Sequence, residues 1–138
     1  MLERLGFISQ IKLVRLSQKK IFWFHAVSVG EASAIYPIYK VFKDKHSEIT
    51  VLFSTTTKTG QEWITPKLDP SDVAIYFPID LYWIIHRVLK KINPYAFISV
   101  ETEIWPNFWW KASRLGVRLA LVNGRLSQRS FRWYVKIV

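Results

Sequence analysis

Cysteine is absent from the 138 residues. That excludes disulfides, thiolate zinc sites, iron–sulfur clusters and a cysteine nucleophile. Histidine is scarce: His25, His46 and His86 are the only imidazoles, and no two stand at metal-ligand spacing, so no metal site is expected. No run of about 20 uncharged apolar residues exists to cross a bilayer. The N-terminal segment lacks the continuous apolar core and small-residue cleavage site of a signal peptide; with no cysteine, this points to the cytoplasmic side. The Walker pattern G-x-x-x-x-G-K-[ST] and the dinucleotide fingerprint G-x-G-x-x-G are both missing, which argues against P-loop and hydride-transfer chemistry. Neither an RRM-type signature nor a zinc finger is present, so no nucleic-acid partner is expected; charge and aromatics alone would prompt one. There is no internal repeat, low-complexity tract or long linker.

What the chain does contain is ordinary for a globular protein: 50% apolar and 22% charged residues, with aromatics high at 16%. The length suits one domain, or half of a larger two-domain enzyme. The net charge of +10 is uneven. Residues 1–20 carry +4, residues 21–110 carry −1, and residues 111–138 carry seven bases and no acid. Basic ends imply either a solvated surface that aids solubility or an anionic partner: nucleic acid, phospholipid or a phosphorylated substrate. A helix over residues 2–16 would set Leu2, Leu5, Ile8, Ile11 and Leu16 among Arg4, Lys12 and Arg15. That loosely amphipathic, basic pattern suits a membrane surface or packing on its own domain.

Short apolar runs alternate with amphipathic stretches. Residues 21–27, 49–53, 73–77, 95–100 and 117–122 read as buried strands. Helices are expected over 32–45 (with Pro37 marking a late start or a kink), over about 60–66, and after Asp80, which reads as an N-cap. Leu81, Ile84, Ile85, Val88 and Leu89 form the apolar stripe of that last helix, which stops at Asn93-Pro94. Pro106 opens a further helix that ends before Gly116 at its C′ position. Five strand–helix alternations imply an α/β fold, a Rossmann-like parallel sheet with helices on both faces. Right-handed crossovers place every strand C-terminus on one edge, where open α/β sheets bind ligands. The chain ends at Val138 within a helical pattern that has no cap, so a fragment of a longer protein is expected.

The segments following the strands therefore hold the candidate site. After the first comes HAVSVGE, where Ser28 and Gly30 can hold an anion or a sugar oxygen and Gly30 admits a ligand closely. Glu31 is either a base or a residue compensating the helix dipole. After the second comes STTTKTG, with Thr57 and Lys58 able to touch sugar or phosphate. After the fourth comes ETEIWPN. There Glu101 and Glu103 either share a crevice, which would raise the pKa of one, or divide between an Arg partner and solvent. In a parallel sheet the first and fourth strands can be close, which would bring Glu31 and Glu101 to one cleft. After the fifth comes NGRLSQRS, where Asn123-Gly124 turns the chain and Arg125 and Arg129 suit bidentate binding of phosphate or carboxylate. Trp105, Trp109 and Trp110 read as core, or as residues beside a membrane.

Taken in order, HAVSVGE, STTTKTG, YFPID, ETEIWPN and NGRLSQRS resemble the N-terminal domain of the 3-deoxy-D-manno-octulosonic acid (Kdo) transferases, which build the inner core of Gram-negative lipopolysaccharide. The resemblance runs from about residue 21 to 134. It implies the acceptor-binding half of a two-domain GT-B glycosyltransferase, with residues 1–20 a basic, membrane-surface helix and residues 21–138 the Rossmann-like domain. The implied reaction moves Kdo from CMP-Kdo to lipid A or its precursor with inversion. No metal or other cofactor takes part. In the family the glutamate at the position of Glu31 is the proposed general base. The one at Glu101 is linked to the transition state or to substrate positioning. Ser28, Gly30, Thr57, Lys58, Asn123 and Arg125 would bind substrate. The second domain, which supplies most of the CMP-Kdo site, has no counterpart in these residues, so the segment alone is expected to be inactive. The implied location is the cytoplasmic face of the inner membrane, held peripherally. The rival expectation is a non-catalytic module that binds lipid A or an anionic membrane surface.

Overall fold

The computed structural model describes residues 2–17, 20–100 and 104–122. Five strands form one parallel sheet: β1 (Ile21–Ala26), β2 (Thr50–Thr55), β3 (Val73–Tyr76), β4 (Ala96–Val100) and β5 (Arg118–Val122). Their order is β3-β2-β1-β4-β5. Every pairing is parallel, and His25 of β1 stands between Ser54 of β2 and Ser99 of β4. The expected α/β fold is therefore the observed one.

The helices are α1 (Gln10–Leu16), α2 (Val29–Lys45), α3 (Lys58–Ile64), α4 (Tyr82–Ile92) and α5 (Pro106–Arg114). Strand alternation sorts the core into two layers. Ile21, Trp23, Leu52, Ile75 and Phe97 pack with residues of α1, α4 and α5. Phe24, Ala26, Val51, Phe53 and Val100 pack with α2 and α3. Both faces are covered, which is why the strands read as apolar runs rather than as a polar–apolar alternation. His25 of β1 and Ser54 of β2 are polar residues among these apolar runs. Both are fully buried, and Ser54 Oγ meets His25 Nδ1 at 2.9 Å and accepts Trp23 Nε1–H at 2.7 Å.

Several local expectations hold. Ile84, Ile85, Val88, Leu89 and Ile92 are buried along α4, and Asn93 ends that helix in the left-handed region at φ 48°. Pro106 opens α5, and Gly116 lies just past it at φ 78°. Others are corrected. The helix expected from residue 32 begins at Val29 and runs through Pro37, which lies on the exposed side. The helix expected over 2–16 is broken: residues Leu2–Leu5 form a 3-10 turn, and α1 begins only at Gln10. Gly6 makes the break, at φ 81°, where a Cβ would lie 3.1 Å from Val88 Cγ2. Asp80 does not cap its own helix. Leu81 takes the N-cap position of α4 and is exposed rather than part of the buried stripe. The Asp80 carboxylate instead accepts N–H bonds from Asn107 (3.1 Å) and Phe108 (2.8 Å), two of the orphan donors in the first turn of α5.

At the edge of the sheet where the strands begin, a buried ion pair joins Lys43 of α2 to Asp72 before β3 at 3.0 Å. Asp72 also accepts Tyr39 Oη–H (2.8 Å) and the Val51 N–H (2.9 Å), while Lys43 donates to the Ile49 carbonyl (2.7 Å). Burial, with the Asp72 carboxylate beside it, pushes the Tyr39 hydroxyl well above its ordinary pKa. At the outer edge of β3, two side chains take the place of a neighbouring strand. Glu3 accepts the Tyr76 N–H at 2.9 Å, Lys12 donates to the Ala74 carbonyl at 2.6 Å, and the two side chains pair with each other. An unpaired edge strand is thereby closed to other chains.

Candidate functional site

The strand order turns at β1. From β1 the chain proceeds to β2 and β3 on one side, then returns to β4 and β5 on the other. In open α/β sheets such a reversal marks the usual ligand position, which here lies beyond the C-termini of β1 and β4. β1 and β4 are hydrogen-bonded neighbours, as the argument for a shared cleft requires. Glu101, Asn123 and Arg125, together with Glu103 and Arg129, lie outside the described residues.

Ser28, Gly30 and Glu31 occupy the start of α2. Ser28 is the N-cap in extended geometry, without a capping bond from its hydroxyl. Gly30 is exposed, and among the described residues a Cβ added there would meet only Ser28 Oγ, at 3.8 Å. Among the described residues, packing does not demand glycine at this position. Glu31 stands in the first turn of α2, half-buried, and its Oε2 accepts the Val27 N–H at 2.7 Å. The S-x-x-E spacing is that of a capping box, displaced by one residue so that the N–H comes from Val27 rather than from the N-cap. The bond orients the carboxylate against the end of β1, and the positive end of the α2 dipole suits its charge.

The β2–α3 loop lies against this turn. Thr56 and Thr57 both donate backbone N–H bonds to the Val27 carbonyl, at 3.1 and 3.0 Å. Thr57 caps α3 through its hydroxyl, which accepts the Gly60 N–H at 3.1 Å. Lys58 is 81% exposed and pairs loosely with Glu62 at 3.6 Å, so its ammonium reaches into solvent. Gly60, which the sequence reading passed over, is needed for this close approach. A Cβ there would sit 2.9 Å from Thr57 Oγ1 and 3.4 Å from the Ser28 carbonyl carbon.

A second residue missed by sequence reasoning is Arg4. Its guanidinium donates to the Thr56 carbonyl and lies over the Tyr76 ring, 5.5 Å from the ring centroid. Nothing local in the sequence ties Arg4 to a loop 52 residues away. Near the C-terminal end of β1, His25 is held neutral: burial pushes its pKa down to about 3, only partly offset by the bond to Ser54. Cationic character at this edge therefore belongs to Arg4 and Lys58 among the described residues.

This arrangement can orient one carboxylate at the C-terminal edge of the sheet, beside an exposed glycine and hydroxyl groups suited to a sugar. The whole chain, residues 1–138, matches the family model described as 3-deoxy-D-manno-octulosonic-acid transferase (kdotransferase). It is 39% identical over 114 residues to a probable mitochondrial 3-deoxy-D-manno-octulosonic acid transferase of Arabidopsis thaliana, covering 82% of this chain and 26% of that protein. It is 34% identical over 115 residues to the 3-deoxy-D-manno-octulosonic acid transferase of Haemophilus influenzae, covering 83% and 27%. It is 36% identical over 124 residues to a bifunctional glycosyltransferase/methyltransferase of Fusobacterium nucleatum, covering 88% and 19%. The chain thus spans about a quarter of the first two relatives' length and a fifth of the third. On the match over its full length, the chain belongs to the Kdo transferase family.

Proposed function

We propose that this chain is the acceptor-binding half of a GT-B Kdo transferase in lipopolysaccharide synthesis, and that Glu31 is its general base. The donor is CMP-Kdo, bound mainly by a second domain, and the acceptor is lipid A or its precursor. A primary sugar hydroxyl is too weak an acid to attack unaided. In the proposed step the Glu31 carboxylate takes the hydroxyl proton while the oxygen bonds to the anomeric carbon. The bond from that carbon to the CMP phosphate oxygen breaks, and CMP leaves with the electron pair from the opposite face, inverting the centre. No cofactor enters the step. Glu101 would help position the substrate or stabilise the transition state. Lys58, Arg125 and Asn123 would hold the anionic and polar groups of the substrates.

The observation that carries this reading is the Glu31 carboxylate, fixed by the Val27 N–H at the reversal point of the sheet, beside the exposed Gly30. Glu31→Gln is the discriminating variant, because its amide oxygen still accepts the Val27 N–H while losing basicity. In the full-length enzyme it should lower kcat by roughly 10²–10⁴-fold at unchanged fold. Turnover near the wild-type rate would remove the base.

A location at the cytoplasmic face of the inner membrane is part of the same proposal. Leu2, Phe7, Ile11 and Val14 are exposed in the segment that carries Lys12 and Arg15, and Trp83 and Trp110 are exposed, with the Arg114 guanidinium over the Trp110 ring. The same mixture of apolar and basic surface favours a second reading, a non-catalytic binder of lipid A or an anionic membrane surface. Vesicles with and without lipid A, titrated across a salt series, separate the two contributions. Binding by general charge attraction should fade with salt, whereas a lipid A site should persist. Equal binding to both vesicle types would exclude the specific acceptor site.

A further inference from the structure

We propose that Arg4 is a positioning residue for Glu31, acting through the backbone of Thr56 and Val27. The proposal rests on the reading of Glu31 as the base. The connection is continuous. Arg4 donates to the Thr56 carbonyl; Thr56 and Thr57 donate to the Val27 carbonyl; Val27 donates to Glu31 Oε2. The Thr56 carbonyl and the Thr57 N–H belong to one peptide plane, so a cation on the oxygen strengthens the donor on the nitrogen. That polarisation ends at the Val27 carbonyl, and from there the link to Glu31 is positional, through the backbone of Val27 itself. Val27 is thereby gripped at both ends, its carbonyl by two N–H groups and its own N–H by the carboxylate.

Arg4 is itself rigidly placed. Its carbonyl accepts the Ile79 N–H at 2.8 Å, its guanidinium lies over Tyr76, and the residue before it, Glu3, is anchored on β3. The left-handed Gly6 then turns the chain away toward α1. A segment that sequence alone reads as a surface helix is instead tied into the loop that orients the carboxylate.

The test is amide NMR with hydrogen exchange on the wild type, Arg4→Met and Arg4→Lys. Met keeps an apolar stem over Tyr76 but donates nothing; Lys restores the charge and one donor. In Arg4→Met, exchange at the Val27 and Thr57 amides should rise about tenfold, the scale of one lost charge-assisted hydrogen bond. The amides of Trp23 and Phe53 should stay as in the wild type. The Val27 amide shift should follow the ionisation of Glu31 in the wild type, because its proton ends on that carboxylate. That pH-linked change should shrink in Arg4→Met and return in Arg4→Lys, which a merely structural role would not produce. If Arg4→Met folds poorly, Arg4→Leu, which also donates nothing, takes its place with the same expectation. An unchanged Val27 signal, or a uniform rise in exchange across the sheet, overturns the proposal whatever Glu31 does. A responsive Val27 alongside full transfer by Glu31→Gln supports the link and removes only the base.

Discussion

Acid should destabilise this protein through His25, and the size of the effect follows from its burial. The imidazole is wholly enclosed among Phe77, Phe97 and Trp105 and titrates near pH 3, against 6.5 for a free histidine. The unfolded chain therefore takes up a proton on this residue as pH falls through 6.5, while the folded chain does not until about 3. Stability is present above 6.5 and is lost progressively below it, because the unfolded state binds more protons throughout that window. At about pH 5 the loss is about 2 kcal/mol, and by about pH 3 it reaches about 4 kcal/mol. Against a typical domain stability of about 5–15 kcal/mol, that is enough to bring the fold near its limit. Urea unfolding followed by tryptophan fluorescence, at about pH 7.5 and pH 5, measures it. His25→Asn keeps a side-chain nitrogen near Ser54 and removes the titration, so the wild type should lose about 2 kcal/mol more than the variant between the two pH values. Parallel losses in the two proteins would refute the argument, since carboxylates and the other histidines contribute equally to both.

Asp72→Ala should cost about 3–5 kcal/mol in the same unfolding experiment, because it strands the Lys43 ammonium, 2% exposed, with no counter-charge. A loss below about 1 kcal/mol would mean that the pair is not buried in solution. Asp80→Ala removes the acceptor from two N–H groups of α5 and should cost about 0.5–2 kcal/mol. The damage should appear as faster amide exchange at Asn107 and Phe108, with α4 unaffected; loosening of α4 instead would restore Asp80 to its own helix.

Much of the fold was legible residue by residue. Pro106 at a helix start, Asn93-Pro94 at a helix end and Gly116 just past another act through the φ angles of the residues themselves. The apolar runs of β1 and β2 carry their own burial, and the motif HAVSVGE sets Glu31 in the first turn of α2 by chain connectivity alone. The neighbour relation of β1 and β4 was expected only as a possibility, and pairing within the assembled sheet decided it. Asp80 shows where local reading fails. An aspartate before a helix is a cap by propensity, yet the nearer unsatisfied donors belong to a different helix.

By itself, then, the sequence determined the alternation of strands and helices and the edge on which the candidate site lies. Those follow from periodicity, proline and glycine chemistry and the handedness of crossovers, all written in consecutive residues. Only tertiary structure decided that Arg4 reaches Thr56, that Lys43 neutralises Asp72 and that Glu3 and Lys12 close the edge of β3. Each of these joins polar groups distant along the chain. Such groups find one another only when burial strips them of water and leaves no other partner within reach.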